Sequence, residues 1–362
     1  MANLEKARQI INETDSKMAE LFEKRMDAVK QVAEYKKQNG LPVDDISREE
    51  QIIKQNCKYI KSEEYRSYYI NFLKSNIEIS KKFQHKLLDG MRLAYSGVEG
   101  AFANIMAKRA FPDAVCVPYP DFKSAYTAVE NGECDCAFLP LENSYNGDVG
   151  RVLDLSFFGS LYINGVYEAN IIQNLLAKKG AKLSDIKSVI SHRQALGQCS
   201  SYIESHGFKK IEAVNTAVAA KQVSESDDMT VAAIGSVEAA QEFGLDVLEK
   251  HINESNVNTT RFAVFSRTKK QDSLSDRRFI MLFTVKNMAG SLGNAISVIG
   301  KHGFNLRALK SRPTKELVWD YYFYAEGEGD INGEQGKQMI CDLEKCCSDL
   351  KIIASFEREI KI

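Results

Sequence analysis

Three stretches with different spacings of apolar and polar positions follow one another along the chain. In the first, from Leu4 to about Gln38, apolar residues recur at close to heptad spacing, and neither Pro nor Gly interrupts them. This pattern predicts one helix about 50 Å long, from about 35 residues at 1.5 Å each. Few helices within one small domain are so long, so the pattern favours pairing with a second chain.

Two further helices are expected before residue 90. The Asn-Gly-Leu-Pro run at 39–42 ends the first helix. The second begins near Asp44 or Asp45, with a capping box between Ser47 and Glu50, and a third follows to about Leu88. Residues 1–88 are therefore predicted to form an all-α, three-helix domain.

The pattern then changes to short apolar strands that alternate with helical stretches. Two such sets occur, and the chain then returns through residues 258–265. This order predicts a bilobal α/β domain over residues 91–268, with a cleft at the strand ends and helix starts. A polar linker at 268–276 precedes a βαββαβ pattern over 277–362, which predicts a small α+β, ferredoxin-like domain.

Composition and charge narrow the function classes. A chain of 362 residues is too long for one core. Its net charge of −1 and its lack of basic runs argue against nucleic-acid or membrane-surface binding. A charged N-terminus and the absence of an apolar run long enough for a bilayer favour a cytoplasmic protein. The eight cysteines form no zinc-type spacing, so we expect reduced thiols, no metal and no cofactor.

The charges of the helical segment have a defined geometry. Arg25 and Lys36 are about three turns apart and project from one face of the first helix. Arg8 lies about 25 Å from Arg25 along the helix and is rotated by about 100°. It cannot reach a small ligand held by Arg25 and Lys36 of the same helix, but in an antiparallel dimer it could reach the partner's site.

The helical segment resembles the all-helical chorismate mutase family. The matching positions are Arg8, Arg25, Lys36, Asp45, Arg48, Glu49, Ser80 and Gln84. The resemblance implies that they line an active site for chorismate in an intertwined homodimer. A pericyclic rearrangement needs no nucleophile, so an enzyme helps by clamping the dicarboxylate and stabilising the ether oxygen. Arginines suit the clamp; Lys36 and Gln84 can donate to the ether oxygen, and Glu49 can accept from the ring hydroxyl.

Polar residues follow each predicted strand of the central segment. Taken together, the 142–147 loop, the 191–199 helix start, the Gly235-Ser236 turn and the 258–262 stretch resemble the prephenate dehydratase family. The resemblance implies that Thr260 is catalytic. We expect Thr260 to donate a hydrogen bond to the departing hydroxyl of prephenate, with Arg261 supplying positive potential and Phe262 starting the strand. Candidates for holding the carboxylates or lining the pocket are Asn143, Ser144, His192 and Gln198.

Three departures from the family pattern leave two alternatives open. Alanines 101 and 103 stand where the first turn usually carries hydroxyls, Arg193 replaces a proline, and Gln173 stands at a frequent histidine position. One alternative is that the central domain prefers arogenate. The other is a ligand sensor that has lost catalysis, against which the intact Thr260-Arg261-Phe262 argues.

The C-terminal segment resembles an ACT domain. Its two effector motifs correspond to residues 290–293, Gly-Ser-Leu-Gly, and 310–313, Lys-Ser-Arg-Pro, with Lys310 in place of a glutamate. The resemblance implies that phenylalanine binds at a dimer interface and inhibits the dehydratase. The residues expected to bind it are Gly290, Leu292, Asn305, Leu306 and Arg312. The three resemblances together imply the bifunctional chorismate mutase–prephenate dehydratase family of phenylalanine biosynthesis.

Overall fold

The first 92 residues form a helical unit, and the rest of the chain forms a second unit, Leu93–Ile362. The structure, a computed structural model, describes residues 2–145, 147–254, 258–270, 276–314 and 321–362. Most of the predicted 268–276 linker and the start of the strand predicted from Trp319 lie outside these ranges. In the described ranges, none of the helices combines the length and apolar character needed to cross a bilayer.

The helical unit consists of α1 (Ala2–Asn39), α2 (Ile46–Asn56), a 3-10 turn (Cys57–Tyr59) and α3 (Glu63–Asp89). The N-cap of α2 is Asp45, whose Oδ1 accepts the backbone N–H of Arg48 at 3.0 Å. The predicted Ser47 capping box is therefore wrong. The carboxylate of Asp45 already satisfies a free N–H at the start of the helix, two residues earlier.

Apolar side chains of the helical unit remain largely exposed. Leu73 and Ile77 of α3 are buried, but Leu21 of α1 is 65% exposed and Tyr68 of α3 is 73% exposed. An apolar groove of about 750 Å³ lies between α1 and α3. Apolar surface on this scale is typical of a chain that packs against another copy or partner.

The second unit contains two sheets. Its strands, with the one that crosses the unit boundary, are β1 (Arg92–Ser96), β2 (Val115–Tyr119), β3 (Cys136–Asn143), β4 (Gly147–Asp148), β5 (Tyr162–Asn170), β6 (Asn174–Ala177), β7 (Ser188–His192), β8 (Lys209–Ala213), β9 (Val231–Gly235), β10 (Asp246–Glu249), β11 (Thr259–Ser266), β12 (Arg278–Thr284), β13 (Asn305–Pro313), β14 (Tyr321–Glu328), β15 (Asp349–Phe356) and β16 (Ile360–Lys361). The large sheet has the order β13-β14-β12-β15-β5-β11-β3-β1-β2, and the small one β10-β6-β9-β7-β8.

Helices cover both sheets. They are α4 (Phe102–Ala110), α5 (Phe122–Glu130), α6 (Gly150–Phe158), α7 (Arg193–Gln198), α8 (Ser200–Ser205), α9 (Thr216–Glu225), α10 (Val237–Phe243), α11 (Ser291–Lys301) and α12 (Glu334–Glu344), with a 3-10 turn at Leu183–Asp185. The small sheet forms one lobe with α7 to α10. The large sheet forms the other lobe, and β11 returns into it from the small one.

The strand β11 lies at the centre of the large sheet, antiparallel to β3 on one side and to β5 on the other. Its apolar residues alternate between two cores, as strand geometry requires. Phe262 and Val264 pack with Phe138 in one core, while Ala263 and Phe265 belong to the other. By the same alternation, Thr260 lies on the face of Phe262, and Arg261 lies on the face of Ala263.

The C-terminal segment continues the large sheet. Its elements follow the order β12-α11-β13-β14-α12-β15, and β15 pairs in parallel with β5. One face of its strands, including Tyr324 and Ile353, shares a core with the central strands; the other packs against α11 and α12. The connection to the central segment is thus a packed sheet as well as the linker.

Candidate active sites

The Thr260 hydroxyl lies opposite Asn143, because β11 and β3 pair these two residues in register. Asn143 Nδ2 donates to Thr260 Oγ1 at 2.9 Å. Thr260 is 9% exposed. Among the described residues, its hydroxyl accepts this hydrogen bond and donates none, so its proton is available to a ligand.

A chain of buried amides extends from this pair into the second lobe. Asn143 Nδ2 also donates to Asn258 Oδ1 at 2.9 Å, and Asn258 Nδ2 donates to Gln198 Oε1 at 3.1 Å. Gln173 Nε2 donates to the same Gln198 oxygen at 3.2 Å. Each of these residues is buried, and hydrogen bonds within a buried network of this kind fix side-chain positions. The β3 strand, the return into β11 and the end of α7 are thereby held together.

Asn258 and Gln173 are network members that sequence reasoning left without a role. Asn258 was part of the polar stretch, and the signal that could have singled it out is its amide, which suits a buried network between strand ends. Gln173 stands at a frequent histidine position of the family, and the sequence indicates no further role for it. Its Oε1 is buried and accepts no hydrogen bond from the described residues. That oxygen is suited to a donor on a bound ligand.

Ser144 connects the loop after β3 to β11. Its backbone N–H donates to the Thr259 carbonyl at 2.8 Å, and its Oγ accepts the Thr259 N–H at 2.9 Å. These bonds fix the residue immediately before Thr260. Ser144 therefore acts on the position of the strand end as well as lining it.

His192 lies at the carboxyl end of β7 and caps α7. Its Nδ1 accepts the Gln194 backbone N–H at 3.3 Å, which places the ring proton of the neutral form on Nε2. Within the described residues, no hydrogen bond joins His192 to Thr260 or to the amide chain. The structure thus brings Gln198 to the Thr260 network but leaves His192 outside it.

Arg261 corrects an expectation. It follows Thr260 on β11, so its side chain emerges on the opposite face of the strand. There it forms ion pairs with Glu142, Glu326 and Glu359. Its guanidinium therefore does not supply the local potential beside the Thr260 hydroxyl.

Phe262 differs in detail from expectation, and the first turn has the alanine that the sequence places there. The strand begins at Thr259, and Phe262 lies inside it, stacked on Phe138 with ring centroids 4.8 Å apart. Ala101 is the N-cap of α4 and offers no side-chain cap bond. Gly100 of the same turn lies against Phe243 of the second lobe. The turn therefore packs against the second lobe, and the Gly100 N–H also donates to Asn104 Oδ1 at 3.1 Å.

In the helical unit, α1 and α3 bring Arg25 and Ser80 together. Arg25 Nη1 donates to Ser80 Oγ and, at 3.4 Å, to the Asn76 carbonyl. Burial lowers the pKa of Arg25. Gln84, one turn after Ser80, is buried, and its Oε1 has no hydrogen-bond partner among the described residues. Lys36 Nζ donates to the Val43 carbonyl at 2.7 Å.

The remaining predicted mutase residues fall into two groups. Glu49 pairs with Lys81 of α3 at 3.1 Å, and Lys81 also pairs with Asp44 and Glu78. Sequence reasoning missed Lys81, since a charge on an amphipathic helix is usually solvated. Arg48 and Arg8 are exposed. The single chain therefore assembles Arg25 and Ser80, and it does not bring Arg8 to them.

The predicted effector residues lie at both ends of α11 and along β13. Gly290 is the N-cap of α11 with a φ of 84°, a conformation that favours glycine, and Leu292 packs against the core beneath that helix. Asn305 Nδ2 donates to Glu328 at 3.2 Å, and Leu306 packs against the same core. Arg312 instead binds Asp154 of α6 through two nitrogens, at 2.7 and 3.1 Å. The Arg312 guanidinium is thus occupied by an ion pair with the central segment.

Comparisons with known proteins cover both units. Residues 93–270 match the family model for prephenate dehydratase, and residues 7–85 match that for chorismate mutase type II. A bifunctional chorismate mutase/prephenate dehydratase of Aquifex aeolicus (strain VF5) is 28% identical over 371 residues, which is 99% of each chain. Arogenate dehydratase/prephenate dehydratase 1, chloroplastic, of Arabidopsis thaliana is 32% identical over 288 residues, 75% of this chain and 73% of that one.

One solved structure adds a ligand to the comparison. Prephenate dehydratase from Arthrobacter aurescens, in complex with L-Phe, matches with a TM-score of 0.69 at 26% identity. The match covers 74% of this chain and 90% of that one. The α/β part of the chain therefore shares the fold of that structure.

Proposed function

The chain belongs to the prephenate dehydratase family, in the bifunctional form that carries an N-terminal chorismate mutase, and from that membership we propose how its residues carry out the two reactions. It rearranges chorismate to prephenate and converts prephenate to phenylpyruvate, carbon dioxide and water. Of the open alternatives, membership in the bifunctional family favours neither an arogenate enzyme nor a sensor without catalysis.

The hydrogen bond that Thr260 Oγ1 accepts from Asn143 is the observation that carries the dehydratase proposal. Asn143 donates to Thr260 Oγ1, so the hydroxyl is oriented to donate its own proton outward. As the carboxylate leaves as carbon dioxide, its bonding electrons enter the ring and expel hydroxide, which takes up a proton from solvent and leaves as water. Thr260 stabilises that departing oxygen by hydrogen bonding, in a site of low exposure where such bonds are strong.

The amide chain and loop residues hold the substrate and the strand ends. Gln198, Asn258 and Asn143 fix the position of Thr260, and Gln173 Oε1 accepts a donor from the substrate. Ser144 and His192 lie at the rim; the His192 Nε2–H is suited to a substrate carboxylate. This arrangement needs no metal or cofactor for its proton movements.

For the mutase, we assign the carboxylate clamp to Arg25 and Arg48, and to Arg8 from a partner chain. Lys36 and Gln84 donate to the ether oxygen, Glu49 accepts from the ring hydroxyl, and Asp45 and Ser80 position their neighbours. The contact of Arg25 with Ser80 and the ion pair of Glu49 with Lys81 support these positions. The exposed apolar side chains of α1 and α3 support a homodimer that covers them.

For regulation, we assign residues 277–362 to an ACT domain that binds phenylalanine between two copies of the chain. The L-Phe complex of the Arthrobacter relative supports this assignment. Gly290, Leu292, Asn305 and Leu306 remain the candidates for contact. Arg312 is assigned a different task, which is to hold β13 to α6 through Asp154.

The proposed function is tested by the product formed from chorismate. Full-length protein incubated with chorismate should release prephenate and then phenylpyruvate, both identified by chromatography. Arogenate supplied instead of prephenate should be turned over at least about tenfold more slowly, a difference of about 1.4 kcal/mol in transition-state binding. Equal or faster turnover of arogenate would contradict the assignment.

Phenylalanine binding is expected to depend on the conformation of Gly290. L-phenylalanine should bind the wild-type protein in calorimetry and inhibit its dehydratase. Gly290→Ala should weaken binding by about tenfold, because a left-handed conformation costs a non-glycine residue about 1–2 kcal/mol. Gly300→Ala, in the same helix with open space around it, is the matched control and should bind normally. Undiminished binding by Gly290→Ala would remove this turn from the effector site.

A further inference from the structure

Arg261 is held by carboxylates from three separate segments. Glu326 of β14 binds it through two oxygens, each at 3.0 Å; Glu142 of β3 lies at 3.3 Å and Glu359, just before β16, at 3.2 Å. The side chains of Arg261, Glu326 and Glu359 are 14%, 6% and 9% exposed. We call Arg261 and these three glutamates the Arg261 cage.

The Arg261 cage and the Thr260–Asn143 pair lie on opposite faces of the same two strands, β11 and β3. Thr260 pairs with Asn143 across β11 and β3, and Arg261 pairs with Glu142 at the next position. Neighbouring residues of a strand point to opposite faces. Thr260 and Asn143 therefore meet on one face of the strand pair, and Arg261 and Glu142 meet on the other. A displacement of Arg261 displaces the backbone that carries Thr260.

The C-terminal tail supplies one wall of the cage. Ile360 and Lys361 pair with Tyr167 and Glu168 of β5, the strand beside β11, and the Ile362 N–H donates to the Glu168 carbonyl at 2.9 Å. Glu359 is held between Arg261 and Arg307, whose Nη1 lies 2.7 Å away. The last residues of the chain are thus fixed against the centre of the dehydratase sheet.

A second cation connects the cage to the regulatory strands. Lys310 Nζ lies 3.0 Å from Glu142 and 2.5 Å from Asp148, at the two ends of the loop that carries Ser144. Burial alone would lower the pKa of Lys310, but its bonds to these carboxylates raise it. Lys310, which replaces the glutamate of the family's effector motif, therefore binds both ends of the loop that carries Ser144.

The electrostatics make the cage sensitive to the loss of one member. Burial disfavours the charge of Arg261, but Glu326, then Tyr324 and Glu359, outweigh it, and the pKa of Arg261 is raised. Burial raises the pKa of Glu359, yet its backbone N–H, Arg307 and Arg261 lower it further than burial raises it. Removing one partner from a buried ion pair leaves an uncompensated charge. The remaining groups then shift to reach other partners.

We propose that Arg261 is a positioning residue for the dehydratase, and that Glu359 of the C-terminal tail completes the dehydratase site by holding Arg261 behind Thr260. The inference rests on the role proposed for Thr260. Without Glu359 the Thr260 hydroxyl is misaligned with the departing oxygen. The substrate is still bound, because the residues that bind it lie on the Thr260 face of the sheet and do not contact Glu359. The loss therefore falls on kcat and not on KM.

The test measures both activities of the full-length protein carrying Glu359→Gln. Dehydratase kcat on prephenate should fall about tenfold with KM unchanged, since about 1.4 kcal/mol of transition-state stabilisation is lost. Mutase kcat should stay at the wild-type value. Glu357→Gln is the matched control, because this exposed glutamate lies two residues earlier in the same tail. It should leave both activities unchanged.

A second pair of variants separates positioning from folding and from substrate binding. Arg261→Lys keeps a positive charge in the cage and should recover part of the dehydratase kcat lost in Arg261→Met. A rise in KM at constant kcat in Glu359→Gln would overturn the inference in favour of direct binding. Unchanged kinetics, or equal loss of both activities, would overturn it as well. If Thr260→Ala retained dehydratase activity, the proposed function would fail, whatever the tail variants do.

Discussion

Replacing Thr260 with alanine is expected to reduce dehydratase kcat by about 100- to 1,000-fold, the usual cost of removing one transition-state hydrogen-bond donor. The hydroxyl is the group that the Asn143 bond orients toward a ligand. Mutase activity should persist, because its residues all lie before position 89. Prephenate should therefore accumulate from chorismate, which chromatography of the reaction mixture detects.

Threonine-to-serine replacement is the control for this result. Thr260→Ser keeps the hydroxyl and its hydrogen bond from Asn143, and it removes only a methyl group. It should retain dehydratase activity within about tenfold of wild type, since a freer rotamer costs about 1 kcal/mol or less. Equal activity of the alanine and serine variants would show that the hydroxyl takes no part. Loss of mutase activity in Thr260→Ala would instead indicate a folding defect.

Strand alternation explains which part of the dehydratase site the sequence could predict. The residue types of 258–262 are typical of a polar strand end, and Thr260 does meet Asn143. Alternation with a period of two also places Thr260 and Arg261 on opposite faces of the strand, which excludes Arg261 from the pocket. The expectation instead followed adjacency in sequence, which in a strand means opposite faces.

The partners of Arg261 and Arg312 could not be predicted. Glu326 and Glu359 lie 65 and 98 residues from Arg261, and Asp154 lies 158 residues from Arg312. Local patterns contain no information about which distant carboxylate meets a given guanidinium. That depends on the β15–β5 pairing, by which the C-terminal strands join the central sheet. Sequence patterns indicated a linker between two domains, but they did not show that strands of both domains form one continuous sheet.

Helical periodicity predicted more of the mutase unit. Ser80 and Gln84, one turn apart, are both buried, and Ser80 meets Arg25 of α1. A period of 3.6 residues fixes the face of each side chain over a long helix, so residues that share a face follow from spacing. The meeting of Ser80 with Arg25 on another helix was implied by the family resemblance alone. The same spacing separates Arg8 from Arg25 by about 25 Å, which predicts a mutase site built from two chains.

Mixing two inactive variants, Arg8→Ala and Lys36→Ala, is expected to restore mutase activity. Each homodimer lacks one essential cation in both of its sites and should lose more than about 100-fold in kcat, as for the loss of a preorganised transition-state contact. In a mixed dimer, one site receives Lys36 from one chain and Arg8 from the other, and the second site lacks both. Random exchange makes half of the dimers mixed, so about a quarter of all sites should be intact under two-fold symmetry.

The measurement is chorismate consumption after the two variants are unfolded together and refolded. Variants refolded separately and then mixed briefly are the control, and they should stay inactive until subunits exchange. Dehydratase activity on added prephenate reports the recovery of folded protein in each sample. Absence of rescue at full dehydratase recovery would contradict the crossed site. The Arg8 guanidinium would then act within its own chain or not at all, although about 25 Å of helix separates it from Arg25.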